Sequence, residues 1–197
     1  MKNSIKKLCV FCGSGLGNSL EFIRKAQDLG TLLANSGITL VYGGGNVGLM
    51  GELAQTVLEH GGSTIGVIPK KIHDMIGHLD LQDPGLSEIH VVEDMHVRKK
   101  MMYDLSDGFV ILPGGIGTLE EFFEVFTWYQ LGYHFKPIGM LNVDNYFDRL
   151  NSFLEHMVCQ GFLSNKHHDM LLVEECPKLL VERLLHHEVV YIDKLEC

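Results

Sequence analysis

Residues 107–131 read DGFVILPGGIGTLEEFFEVFTWYQL, and the change of pattern within this stretch decides the architecture. A short apolar run, residues 107–112, reads as a buried strand. PGGIGT then breaks the run, and apolar residues at helical spacing follow it. Strand, glycine turn and helix give a recognisable chemistry. Glycines let main-chain N–H groups come close to a ligand, and the first turn of a helix leaves its N–H groups without intrahelical partners. An anion is the natural occupant, and phosphate the commonest. Glu120 and Glu121 enter the first helical turn, so a carboxylate stands beside the phosphate cradle.

The same alternation extends in both directions. Strand-like runs recur at Leu8–Phe11, Thr39–Tyr42, Ser63–Ile68, Glu88–Val92, Gly108–Leu112, Pro137–Leu141 and Met170–Glu174. Helical patterns lie between most of them, at Leu20–Asn35, Val47–His60, Asp94–Leu105, Thr118–Leu131, Tyr146–Gln160 and Pro177–His187. Strands alternating with helices predict a mainly parallel sheet with helices on both faces. Right-handed crossovers then give an α/β, doubly wound, Rossmann-like fold, expected as one domain over residues 1–197. Pro69 to Ser87 is the least regular part, loop-rich and partly helical, and is expected to border the ligand site.

Two further glycine turns follow strands, CGSGLGNS at Cys12–Ser19 and YGGGNVGLMG at Tyr42–Gly51. In a parallel sheet all of these turns share the carboxyl edge, where open α/β sheets bind ligands. The first turn departs from the G-x-G-x-x-G dinucleotide fingerprint, because Gly13, Gly15 and Gly17 alternate without a third glycine at the right offset. The acidic residue expected after the second strand is replaced by Tyr42-Gly43-Gly44, which disfavours NAD.

Composition narrows the classes further. The 197 residues are 46% hydrophobic, enough for a full core. A net charge of −9 argues against nucleic acid or a membrane surface as the main partner, without excluding a small phosphorylated ligand. No stretch has the length of a membrane span, and the N-terminus lacks the apolar segment of a signal peptide, so a cytoplasmic location is expected. Five scattered cysteines fit a reducing compartment. Cys9 and Cys12 form C-x-x-C inside the first strand, where residues three apart face opposite sides, so they read as buried small residues. The 11 histidines show no metal-ligand spacing and read as solvated; neither a metal nor another cofactor is expected.

Two helices carry the remaining candidates. In MHVRKKMM, Arg98 shares a face with Met95, Met101, Met102 and Leu105. Its stem could cover the core while its head reaches water, or its guanidinium could be held toward a ligand or carboxylate, with Lys99 as a second cation. After PGGIGT, Glu120, Glu124 and Thr127 share one face, and Leu119, Phe122, Phe123 and Phe126 form a core stripe with Glu121 between. One of Glu120 and Glu121 could simply compensate the helix dipole, leaving the other free for chemistry. Leu79 to Leu86 and the aromatics Phe122, Trp128 and Tyr129 either shape a pocket or belong to core and interface.

PGGIGTLEE and MHVRK together resemble the PGGxGTxxE signature and the companion arginine-lysine segment of the LOG family, the cytokinin riboside 5′-monophosphate phosphoribohydrolases. The resemblance runs from Cys12 to about Val181 and includes both other glycine turns, PGLSEIHVVEDMHVRK and FTWYQLG. It implies a homodimer that cleaves the N-glycosidic bond of AMP or N6-substituted AMP, giving free base and ribose 5-phosphate. Arg98 and Glu121 match the catalytic pair. Substrate-binding positions would be Ser14, Gly44, Asp80, Lys99, Gly114, Gly115, Ile116, Gly117, Thr118, Leu119, Glu120 and Thr127. Asp80 stands where the family usually has glutamate, which shortens a contact to the base, and GSGLG lacks a second serine that many relatives carry. A nearby cation lowers a carboxylate pKa, so Arg98 is expected to keep Glu121 ionised. The competing reading is a non-catalytic nucleotide-binding protein of the same fold. Amino-acid decarboxylation would need a pyridoxal phosphate lysine in a setting this chain does not offer.

Overall fold

Every strand of the sheet is parallel to its neighbours, in the order β4-β3-β2-β1-β5-β6-β7. The computed structural model describes residues 5–76 and 87–187. The strands are β1 (Lys7–Phe11), β2 (Thr39–Tyr42), β3 (Thr64–Pro69), β4 (Ser87–Val92), β5 (Gly108–Ile111), β6 (Ile138–Leu141) and β7 (Leu171–Glu174). The helices are α1 (Leu20–Asn35), α2 (Gly48–Glu59), α3 (Lys70–Ile76), α4 (Met95–Leu105), α5 (Ile116–Gln130), α6 (Asp148–Cys159), α7 (Asn165–His168) and α8 (Pro177–Leu185). This is the doubly wound α/β arrangement expected from the alternating pattern. The chain winds outward from β1 through β4, then returns beside β1 with β5 and winds the other way. The point of reversal lies between β1 and β5, and such a switch point opens a crevice at the carboxyl edge.

The period-2 alternation of β1 builds both cores at once. Leu8, Val10 and Cys12 join the cluster under α1, α2 and α8, while Cys9 and Phe11 join the one under α4, α5 and α6. Cys9 and Cys12 therefore lie on opposite faces of the sheet, as their spacing requires. At the amino edge, Asp107 Oδ2 accepts the main-chain N–H groups of Lys6 and Lys7 at 2.8 and 2.9 Å, tying the start of β1 to the start of β5.

Helix boundaries differ from expectation where turns intervene. α5 starts at Ile116, two residues before the expected Thr118, because Gly117 is accommodated in the first turn. α6 starts at Asp148 and not Tyr146, because Asp144 and Asn145 adopt left-handed backbone just before it. The expectation that the histidines are solvated fails for His134 and His167, which are buried. His134 lies among Tyr103, Phe109 and Tyr129, with Nε2 donating to the Val125 carbonyl at 2.8 Å and Nδ1 accepting from Lys136 N at 3.1 Å. Burial, the largest influence, lowers its pKa to about 4, so the ring is a neutral core element.

The first two glycine turns are fitted to one another. Leu49 N donates to Gly15 O at 3.3 Å and Met50 N to Gly13 O at 3.4 Å, seating the first turn on the start of α2. Gly48, just before these donors, has φ of +64°, and a Cβ there would lie 2.2 Å from the Ser14 carbonyl carbon. Gly48→Ala therefore combines a strained backbone with a backbone clash, and is expected to lose at least about 2 kcal/mol. A fall in the thermal midpoint of about 4–8 °C checks this; an unchanged midpoint would contradict it.

Candidate active site

Strand order alone brings three turns together. β1 lies between β2 and β5, so the Cys12–Ser19 turn sits between the Tyr42–Val47 and Leu112–Gly115 turns. Gly13 N donates to the Pro113 carbonyl at 3.0 Å. The first and third turns touch main chain to main chain: a Cβ on Gly114 would meet Gly13 N at 2.8 Å and Thr118 Oγ1 closer still. Only a glycine permits this approach. The turns frame a cleft of about 430 Å³.

One wall of the cleft is the start of α5. Its N-cap is Gly115, which has no side chain to cap the helix. Leu119 N is the first to bond back, to Gly115 O at 3.1 Å, so the preceding N–H groups lack intrahelical partners. Gly115, Ile116, Gly117 and Thr118 line the cleft here, with Ser14 across from them. Side chains at 115 and 117 would meet no atom within 4 Å, so there is open room above those amides. A helix start of this kind suits a phosphate.

The floor holds the charged pair. Asp94 caps α4, accepting from His96 N at 2.8 Å and Val97 N at 2.9 Å, and these N–H bonds (that of Val97 foremost) hold its carboxyl below the usual range. One turn on, Arg98 runs inward beneath the sheet edge. Nε donates to the Val67 carbonyl at 3.1 Å, Nη2 to the Gly43 carbonyl at 3.5 Å, and Nη1 lies 3.4 Å from Glu121 Oε1. The guanidinium is thus held toward a carboxylate, resolving the two readings of Arg98 left open by its sequence. Gly43 makes room for it, since a Cβ there would fall 2.1 Å from Nη2.

Glu121 is 8% exposed and sits on the buried side of α5. Burial outweighs everything else in its titration: it pushes the carboxyl up to about 7, against the opposing pull of Arg98, while Glu120 adds to the rise. The expectation that Arg98 keeps Glu121 fully ionised is corrected accordingly. The single contact between them is too weak to offset the loss of water around a nearly enclosed carboxyl. Cys12 also lines the cleft, and burial followed by the charge of Glu121 pushes its thiol up to about 12, so it stays protonated.

The neighbouring glutamate does different work. Lys99 bonds both Glu120 and Glu124, the latter at 2.9 Å. Burial alone would lower the Lys99 ammonium, but these two carboxylates outweigh it and raise its pKa. Glu120 reaches the rim of the cleft while bound to Lys99, and Glu121 faces the interior. Adjacent positions on α5 thus separate into one structural and one inward-facing carboxyl.

Several expected positions lie elsewhere. Gly44 backs onto Val67 and Ile68, Leu119 packs on the core beneath α5, and Thr127 is exposed further along that helix. Lys99 and Gly114 support the cleft without lining it. Asp80 and the rest of Leu79–Leu86 fall outside the described residues. Phe122 and Tyr129 are core residues, and Trp128 packs edge-on to Tyr103. Conversely, Met50 and Ile68 belong to an apolar wall that the sequence reading did not name; Met95 and Ile72 complete it, Ile72 from the segment 69–87 expected to border the site. Ile68 lies one residue before the end of β3, at the carboxyl edge, which was the available signal. Among the described residues, no group of three or more His, Cys, Asp or Glu is placed to hold a metal ion.

Comparison with known proteins places the chain in a family. The model of the family described as "Possible lysine decarboxylase" matches residues 50–184, more than half of the chain. Cytokinin riboside 5′-monophosphate phosphoribohydrolase LOG1 of Arabidopsis thaliana is 44% identical over 184 residues, covering 93% of this chain and 84% of its own. The cytokinin riboside 5′-monophosphate phosphoribohydrolase of Rhodococcoides fascians is 46% identical over 162 residues, covering 81% of this chain and 79% of its own. Among solved structures, the Moco carrier protein of Chlamydomonas reinhardtii has a TM-score of 0.64 at 20% identity, covering 91% of this chain and 96% of that one. DNA processing protein A of Helicobacter pylori reaches 0.59 at 17% identity, covering 92% and 81%. At such identities these two structures share the fold only. The curated relatives carry more weight, and on them and the family match the chain belongs to the LOG family.

Proposed function

We propose that this protein hydrolyses the N-glycosidic bond of AMP or an N6-substituted AMP, releasing the free base and ribose 5-phosphate. One observation carries the reading: an enclosed carboxyl, Glu121, faces Arg98 in a cleft whose wall is an uncapped helix start. The names of the Arabidopsis and Rhodococcoides relatives support the same class of substrate.

The parts divide the reaction between them. The amides of Gly115–Thr118 and the Ser14 hydroxyl hold the 5′-phosphate, and this remote binding energy positions the scissile bond. As the bond from C1′ to the base nitrogen breaks, positive charge develops on the ribose. The Glu121 carboxylate stabilises that charge and takes a proton from the water whose oxygen bonds to C1′. The base leaves with its bonding electrons and is protonated, so one water is consumed. A carboxyl with a pKa of about 7 suits a base working near neutrality. Arg98, oriented by two main-chain carbonyls, keeps part of Glu121 ionised and fixes where it points.

We also assign the chain to a homodimer. The outer face of α4 leaves a groove lined by Val97, Met101 and Leu105 together with His96, Lys100 and Asp104, and Phe123 on α5 and Leu131 just after it are exposed. Apolar surface of this kind supports self-association through these helices.

Glu121→Gln is expected to reduce adenine release from AMP by about 2–4 orders of magnitude with little change in fold, and Arg98→Ala to do the same. Chromatography of AMP after incubation checks both; near-normal turnover in either variant overturns the assignment. The pKa gives a second, independent test. The folded-state value of about 7 lies above the ordinary 4.5, so the protonated form favours folding. That contribution is complete below the unfolded-state pKa and is lost as pH rises through about 7. Between pH 5 and pH 8, native Glu121 should lose about 2.5 kcal/mol relative to the non-titrating Glu121→Gln. Denaturant unfolding at the two pH values measures the difference, and a constant gap would show that Glu121 is not perturbed.

A further inference from the structure

We propose that Tyr146 is a positioning residue that sets the orientation of the phosphate-binding turn from outside the cleft. The proposal rests on the phosphate reading given above and adds a part to it.

The segment between β6 and α6 is held in an unusual shape. Asp144 (φ 49°, ψ 37°) and Asn145 (φ 57°) are consecutive non-glycine residues in left-handed backbone. Asp and Asn tolerate this region better than other side chains, but two in succession persist only where the surroundings enforce it. Asn142 supplies much of that enforcement. Its main-chain N donates to Glu174 O at 2.8 Å, its Nδ2 to Asp148 Oδ1 at 2.7 Å, and its Oδ1 accepts Phe147 N at 2.8 Å. The segment is therefore tied to β7 and to the start of α6.

What the strained backbone does is reach two glycine turns at once. Asp144 Oδ2 accepts the hydroxyl of Ser19, which in turn caps α1 through Glu21 N at 3.2 Å. Tyr146 donates its hydroxyl to the carbonyl of Gly114. Its ring packs edge-on to Phe22 at 5.7 Å and to Phe147 at 4.9 Å. Phe22 fills the space beside Gly17, where a Cβ would come within 2.6 Å of the ring. The hydroxyl, the ring and the neighbouring Asp144 all bear on the turns that frame the cleft.

The contact with Gly114 matters because of peptide planarity. The Gly114 carbonyl and the Gly115 N–H belong to one trans peptide plane and point in opposite directions. Holding the carbonyl toward Tyr146 turns the Gly115 N–H the other way, at a residue that lines the cleft. Gly114 and Gly115 have no side chains of their own to resist rotation of that plane, so an external donor is the means of fixing it.

Tyr146→Phe removes one oxygen and keeps the ring on Phe22 and Phe147. Loss of a single hydrogen bond to the turn should weaken ribose 5-phosphate about 5-fold by calorimetry and raise KM for AMP by the same factor, with kcat within about 2-fold. Binding of adenine, which has no phosphate, should be unchanged. Equal affinity of both proteins for ribose 5-phosphate, or equal weakening of adenine and ribose 5-phosphate, overturns the proposal. The calorimetric arm does not depend on turnover. If the unaltered protein binds ribose 5-phosphate but releases no adenine from AMP, the hydrolytic reading fails while the role of Tyr146 is still decided by the affinity ratio.

Discussion

The close approach of two main chains, at Gly13 and Gly114, is the constraint on which the site depends. It follows from the pairing of β1 with β5, which sets their carboxyl ends side by side. Any side chain at residue 114 would meet the Gly13 main chain and, closer still, the side chain of Thr118, so the turns would have to move apart. With the turns in contact, the start of α5 is brought against the first turn, and Glu121 is carried beneath it. The cleft is thus a by-product of strand order completed by glycine.

Within that frame, two adjacent glutamates receive opposite environments. Glu120 keeps an ammonium partner and one edge in solvent, whereas Glu121 exchanges water for a single guanidinium contact. Electrostatic attraction at 3.4 Å does not compensate the dehydration of a carboxyl this enclosed. Its affinity for a proton rises as a result, which is the property a base needs near neutral pH. The same enclosure holds Cys12 as a thiol and removes it as a competing nucleophile.

Much of this was legible in the sequence. The alternation of apolar strands with amphipathic helices gave the sheet, and glycine turns after strands gave the edge at which to look. PGGIGTLEE located α5 and its carboxylates, and the placement of Arg98 on an apolar stripe marked it as unusual. The remainder depends on contacts between segments far apart in the chain. Nothing near Arg98 in sequence indicates that its guanidinium bonds the carbonyls of Val67 and Gly43. Asp144 and Asn145 carry no glycine to signal left-handed backbone, and Tyr146 looks like the first residue of a helix. His134 is polar by composition, and only a surrounding aromatic cluster with two main-chain partners makes it a core residue.

The Asp107 clip lies at the other end of β1 and β5, away from all three turns. Five residues of β1 separate the two ends, which at about 3.3 Å per residue amounts to some 16 Å. A fluorophore attached at the exposed Lys6 would therefore stand at the edge of the sheet remote from the ligand. Immobilisation or labelling through that end is compatible with an open cleft, whereas attachment through the segments that follow β2, β5 or β6 is not.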